Sequence, residues 1–287
     1  MSDHSPIDLL HQGMSRSVGC YLVETDDGPA LFDCGPTTCL PALKDGLAGR
    51  GLELGDIRHL LLSHIHLDHA GAAGAIAREH PAVQVHVSAV GAPHLSDPSR
   101  LEVSARRLYG DTFDGLWGEL VPVPEENIRI VGDDVLGLEC FPSPGHASHH
   151  IAMLHEDGTL YAGDSAGVRI APASFVFAPT PPPDIDLEAW EQTIAAMERR
   201  APTRLALTHF GVFEDVSEHL ARLRETLHSW GERVAHGMDE PTFVAAARAD
   251  CLASDPDEVE AYDRAAPSYQ CFLGLELYWR KRHASAT

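Results

Sequence analysis

The chain opens with short apolar runs interleaved with polar positions. Residues 17–24 (SVGCYLVE) and 29–34 (PALFDC) are β-prone, and Thr25-Asp26-Asp27-Gly28 between them carries Asp-Gly turn chemistry, which predicts a hairpin. Helical spacing follows over 38–49, and the apolar run from Ile57 to Ser63 has strand length. Ala70 to His80 is alanine-rich and stopped by Pro81, which predicts a helix; Val83 to Val87 is the next strand. Between 128 and 163 come four β-prone runs, IRIV, LECF, HIAMLH and TLYAGD, the last two separated by the turn Glu156-Asp157-Gly158. After Pro179 and the stiff run Pro181-Pro182-Pro183, Asp186 is placed to cap a helix reaching Arg200. Residues 204–208 then form a strand ending at Thr208-His209.

Beyond residue 214 the period changes. Leu220, Leu223, Leu227 and Val234 recur at helical spacing, Gly237 is a stop signal, and Asp255-Pro256 with Glu258 reads as the opening of a further helix. Strands mixed with helices, followed by helices alone, predict an α/β (α+β) chain. Residues 1–214 are expected to form the catalytic domain, and residues 215–287 a helical extension packed on it.

Composition narrows the partners. Of 287 residues, 43 are acidic against 21 Lys and Arg, a formal charge of −22 that repels nucleic acid and anionic membranes. The one compact basic run, Arg280-Lys281-Arg282, reads as cations at a helix C-terminus. Six scattered cysteines form no C-x-x-C pair, so reduced thiols are expected. Residues 1–14 show no signal-peptide pattern, and no run approaches the roughly eighteen apolar residues of a membrane span. A cytoplasmic protein with a small-molecule substrate is the expectation, and the apolar terminal helices leave room for a homodimer.

The candidate chemistry lies in His64-Ile65-His66-Leu67-Asp68-His69. Side chains two apart in an extended segment project to the same side, so His64 and His66 can share one cation. Asp68 and His69, at the turn into the following helix, can face a neighbouring one. Imidazole and carboxylate suit zinc, and iron and manganese are compatible. A lone histidine is usually a packed side chain, but four ligand-type residues in six positions are hard to explain that way.

This run resembles the signature of the metallo-β-lactamase superfamily, in which a histidine, an aspartate and a final histidine follow at long spacing. Pro144-Gly145-His146, Gly163-Asp164 and Thr208-His209-Phe210-Gly211 match those elements in order, so the resemblance covers residues 16–213. It implies the superfamily's four-layer αββα sandwich, here with a C-terminal helical extension, and a two-ion centre. His64, His66 and His146 would hold one ion, Asp68, His69 and His209 the other, and Asp164 would bridge them. The largest β-lactamase subclass has a cysteine where Asp164 stands, so the resemblance is instead to glyoxalase II, lactonases, related esterases and the RNA-processing nucleases, with the glyoxalase II and lactonase branch favoured.

The implied activity is that of a dinuclear hydrolase in which a metal-bridging hydroxide attacks the carbonyl of an ester, thioester or lactone. Asp68 would move a proton to the leaving group. Three alternatives stand beside it. A phosphodiesterase or nuclease of this fold would need a cationic face not found here. A mononuclear iron oxidoreductase of the persulfide dioxygenase type would need one ion only. In a non-catalytic metal-binding protein the sites would be closed by four ligands, whereas three histidines leave a position open.

Weaker expectations attach to neighbouring residues. His149 and His150 read as supporting or core groups, and Asp33 in Phe32-Asp33-Cys34-Gly35 can either orient a ligand histidine or cap a turn. His94-Leu95-Ser96-Asp97-Pro98 reads as structural. Arg106, Arg107, Tyr109, Phe113 and Trp117 fall in a stretch read as irregular, where this fold places a substrate-covering loop; Tyr109, Phe113, Trp117 and Phe177 are the candidate pocket residues.

Overall fold

The computed structural model describes residues 4–285, so the first three and last two residues of the expected domain division lie outside the described residues. Twelve strands form two six-stranded sheets. The first holds β1 (Ile7–Asp8), β2 (Gly19–Thr25), β3 (Gly28–Phe32), β4 (His59–Leu61), β5 (Gln84–Val87) and β6 (Ile128–Ile130) in that order. The second holds β7 (Asp134–Val135), β8 (Leu138–Pro142), β9 (Ile151–Leu154), β10 (Thr159–Tyr161), β11 (Arg204–Leu207) and β12 (Gly211–Phe213). The predicted hairpin pairs Tyr21 with Phe32 and Thr25 with Gly28. From β3 to β6 all pairs are parallel.

The layering follows from the two-residue period of the strands. Tyr21, Val23, Phe32 and Leu61 of the first sheet meet Leu138, Met153, Tyr161 and Ala206 of the second in one shared core. Their sequence neighbours point the other way. Leu31 and Leu60 join an outer core with α1 (Leu40–Ala48), while α2 (Leu67–Ala70) leads from the sheet into α3 (Ala73–Glu79) on the same side. Strands buried on both faces explain why these runs are almost wholly apolar. Tyr21 ties the sheets together by donating its hydroxyl proton to the carbonyl of Leu207 at 2.6 Å.

Residues 92–117 are helical: α4 (Ala92–Ser96), α5 (Ser99–Tyr109) and α6 (Phe113–Trp117). This corrects the expected irregular loop. Leu101, Ala105 and Tyr109, four apart on α5, pack with Phe113 and Trp117. On the second sheet's outer face lie α7 (Leu187–Arg200), α8 (Val216–Ala235), α9 (Glu240–Ser254), α10 (Val259–Ala265) and α11 (Ser268–Ser285). Asp186 caps α7 as expected, accepting from the Ala189 amide at 2.9 Å. Asp255 does not open a helix. Its carboxylate accepts from the amides of Ser174 and Phe175 at 3.0 and 2.7 Å, fastening the C-terminal helices to the segment before α7, and α10 starts only at Val259.

The result is an α/β sandwich with C-terminal helices. All six cysteines are buried free thiols, and among the described residues no helix is long and apolar enough to cross a membrane.

Candidate metal centre

Four of the site residues sit just beyond the C-terminal end of a strand, and Asp68 and His69 follow on α2. β4 delivers His64, β8 delivers His146, β10 delivers Asp164 and β11 delivers His209. Two glycines make the approach possible. Gly145 has φ +134, and a Cβ there would lie 2.3 Å from Trp190 Cβ; Gly163 has φ +48, and its Cβ would lie 2.7 Å from Ser63. Glycine is required at both points because no side chain fits.

The seven residues singled out by the sequence converge. Three overlapping groups form: His64, His66 and His146; His64, His69 and Asp164; Asp68, His69 and His209. Within each, the ligand-type atoms lie within 4.8 Å of one another. His69 Nε2 is 3.3 Å from Asp164 Oδ1, and His146 Nε2 is 3.4 Å from Asp164 Oδ2. His209 Nε2 is 3.4 Å from Asp68 Oδ2.

The outward-facing nitrogens are held by oxygen acceptors. Nδ1 of His146 donates to the Pro179 carbonyl at 2.8 Å and Nδ1 of His209 to the Ser17 carbonyl at 2.5 Å. Nδ1 of His69 donates to Asp33 at 2.7 Å. The Ser63 hydroxyl donates to Asp33 at 3.0 Å, so it accepts from Nδ1 of His64 at 2.9 Å. A proton fixed on Nδ1 leaves Nε2 as the ligand atom, with its lone pair free in neutral His64 and His146 and available in His69 and His209 once an entering ion displaces their second proton. Nε2 of His64, Nε2 of His69 and Oδ1 of Asp164 are buried without a hydrogen-bond partner. Buried polar atoms are rarely left so, and three of them aimed at one space fit a cation.

Electrostatics divides the cluster. Burial, reinforced by neighbouring histidines, pushes His64 and His66 well below the usual imidazole range, so they stay neutral. Burial also lowers His146. For His69, burial works downward but is outweighed by Asp164, Asp33 and Asp68, and its pKa is raised well above the ordinary value. His209 is raised in the same way, by Asp164 and Asp68 against burial. Asp164 is held well below the carboxylate range: burial opposes this, and His69, His209 and His146 prevail.

Supporting residues take defined places. Asp33, fully buried with φ +56, also accepts from the Ser63 amide at 2.8 Å and the Thr208 hydroxyl at 2.7 Å, so it orients His69 rather than capping a turn. His150 Nε2 accepts from the Asp164 amide at 3.2 Å, and its Nδ1 is 2.8 Å from the Ser143 hydroxyl. His149 stacks on His64 at 5.9 Å.

The cluster floors a cavity of about 810 Å³. Tyr109 and Trp117 line it as expected, and so does His94, which the sequence alone presents as structural. Phe113 and Phe177 do not. Phe113 is fully buried beneath the Arg106 guanidinium, 4.1 Å above its ring, and Phe177 is bridged to Val168 and packed edge-on against Trp230 at 4.7 Å. Sequence reasoning missed His11, which stacks on Trp117 at 5.3 Å and lines the cavity. It lies in a turn before the first long strand, with no periodicity to mark it. The proline run also forms cavity wall, and the Pro179 carbonyl anchors His146.

The chain belongs to the metallo-beta-lactamase superfamily, whose family model matches residues 16–209. It is similar to a metallo-beta-lactamase fold-containing protein from Sulfurisphaera tokodaii, 26% identical over 181 residues (59% of this chain, 67% of that one). It is also similar to an N-acyl homoserine lactonase from Bacillus thuringiensis, 26% identical over 185 residues (54% of this chain, 66% of that one). Among solved structures, a metallo-beta-lactamase family protein from Thermus thermophilus shares the fold. Its TM-score is 0.63 at 22% identity, covering 93% of this chain and 89% of that one.

Proposed function

We propose that this chain is a dinuclear metal-dependent hydrolase acting on the ester, thioester or lactone bond of a small molecule. The observation that carries this reading is the set of buried inward-facing atoms without a hydrogen bond, His64 Nε2, His69 Nε2 and Asp164 Oδ1, on side chains of which His64 and His69 are hydrogen-bonded through their outer nitrogens. His64, His66 and His146 would hold one ion, Asp68, His69 and His209 a second, and Asp164 would lie between them. Zinc is the proposed ion; iron and manganese suit the same donors.

Bound there, two divalent ions would supply a water of lowered pKa and positive charge for a developing oxyanion. The protein's own part is positional. Asp33, Ser63, Pro179 and Ser17 fix the imidazole tautomers, so the ligands need little reorganisation when an ion enters. Asp68 reaches the cavity and is partly exposed there; against its burial, His69 and His209 hold its carboxyl below the usual range, so its role would be to pass a proton briefly to the leaving group. Ile65, Leu67, Leu101 and Trp117 line the space above and limit water. Similarity to the lactonase supports a carbonyl substrate. Residues 1–214 supply every proposed ligand, while 215–287 contribute a wall of the cavity through Arg264 to Cys271, which motivates the division into catalytic domain and extension.

The test is metal analysis of freshly purified protein together with an ester, thioester and lactone panel. Turnover abolished by chelator and restored by zinc is expected. Fewer than one ion per chain, with no chelator-sensitive turnover on any carbonyl substrate, would sink the proposal.

A further inference from the structure

Arg100, Leu101, Ser104, Ala105, Arg107 and Leu108 of α5 all line the cavity. Positions 100 and 107 are two helical turns apart, so their side chains leave the same face about 10 Å from one another. Among the described residues neither guanidinium has a carboxylate within ion-pair distance; Asp97 only feels the charge of Arg100. Their neighbour Arg106 differs, being bonded to Glu102 and Asp114 at 2.9 and 2.7 Å. Across the cavity Arg264 of α10 also lines the wall, held loosely at 3.8 Å by Glu260.

In a chain of net charge −22, the cavity lining is balanced, with three arginines against three carboxylates. Asp68 and Asp164 belong to the metal centre, and Asp184 is occupied by the amide and hydroxyl of Ser148. The walls between are largely apolar, and Val90 and Tyr269 stay exposed there at 53% and 39% despite their size. An apolar channel with free guanidinium groups matches a ligand with an apolar body and an anionic group.

We propose that the substrate is an amphiphilic ester, thioester or lactone carrying a carboxylate, with its apolar body along Leu101 and Leu108 and its anion held by Arg100 and Arg107. This rests on the hydrolase reading of the same site. Arg100 and Arg107 are specificity-determining residues on α5 and are not among the metal-centre residues.

The experiment compares monomethyl suberate with neutral octanol, both titrated by calorimetry into the chelator-treated full chain. Both arginines are exposed, so Arg100→Gln and Arg107→Gln leave the fold intact. One exposed guanidinium contact changes affinity by about fivefold. Each single variant should therefore raise the Kd for monomethyl suberate by about fivefold, and the double variant by more than about tenfold. Octanol binding should not change. In the metal-loaded enzyme, the KM for the mono-p-nitrophenyl ester of suberate should rise in the variants with kcat unchanged. An unchanged Kd in the double variant, or equal binding of the charged and neutral ligands, overturns the proposal. So does tighter binding of dibutyl phosphate than of monomethyl suberate. Charge-selective, arginine-dependent binding without turnover on any ester would instead remove the hydrolase reading and leave the ligand class standing.

Discussion

Asp33 Oδ2 lies 2.7 Å from Nδ1 of His69, with both side chains fully buried. The same carboxylate holds Ser63 and Thr208, so one residue at the end of β3 fixes the loops after β4 and β11. Replacing Asp33 with Asn keeps the shape but weakens the acceptor facing His69. Metal affinity should fall by about ten- to a hundredfold. Competition with a chromogenic chelator measures this, and affinity equal to wild type would show that Asp33 is only a structural group.

Gly163 and Gly237 both have positive φ, +48 and +85, but a Cβ at Gly237 would meet nothing within 4 Å, whereas at Gly163 it would collide with Ser63 and His150. Gly237→Ala should cost about 1 kcal/mol from the backbone alone. Gly163→Ala should cost about 3 kcal/mol or more and lower metal retention. Urea unfolding of the two variants, with metal content measured alongside, makes the comparison; equal costs would contradict it.

In the metal-free protein His69 and His209 have raised pKa values because Asp164 and Asp68 outweigh their burial. A cation entering between Asp68, His69 and His209 must displace those protons. Zinc added to the chelator-treated chain in weak buffer near neutral pH should release about one to two protons. Affinity for this ion should fall as pH falls. A pH-stat trace with no release would count against His69 and His209 as ligands.

His219 of α8 is buried with Nε2 2.7 Å from the Ala166 carbonyl, and burial pushes it down to about 4. Between its unfolded value near 6.5 and about 4, the unfolded chain binds the extra proton, so stability rises with pH through that window. The full effect is on the order of 3 kcal/mol. Unfolding midpoints at pH 4.5 and 7 should differ less in His219→Gln than in wild type. An identical gap in the two proteins would assign the acid sensitivity elsewhere.

Where burial is periodic, the sequence is readable. Tyr21, Val23, Leu31 and Phe32 announce the hairpin, and Leu220, Leu223 and Leu227 announce α8. The seven converging residues are visible because four of them lie within the six-residue run 64–69, His209 ends an apolar run, and His146 and Asp164 follow glycine, where the close approaches at Gly145 and Gly163 show why. What escapes is decided by tertiary contact. α5 carries charged residues between Leu101, Ala105 and Tyr109, so its apolar stripe is narrow and is completed only by Phe113 and Trp117. Phe113 and Phe177 are expected at the cavity from sequence, but aromatic identity does not reveal which face a ring takes. The strands β1, β7 and β12, two or three residues long, are held by their neighbours rather than by pattern.

The central claim is that two ions lie within this one cluster of side chains. Anomalous diffraction from zinc-loaded crystals, recorded on both sides of the zinc edge, addresses it directly. Two peaks are predicted, one among His64, His66 and His146 and the other among Asp68, His69 and His209, with Asp164 between them. A single peak, or none, at full zinc loading would contradict the account.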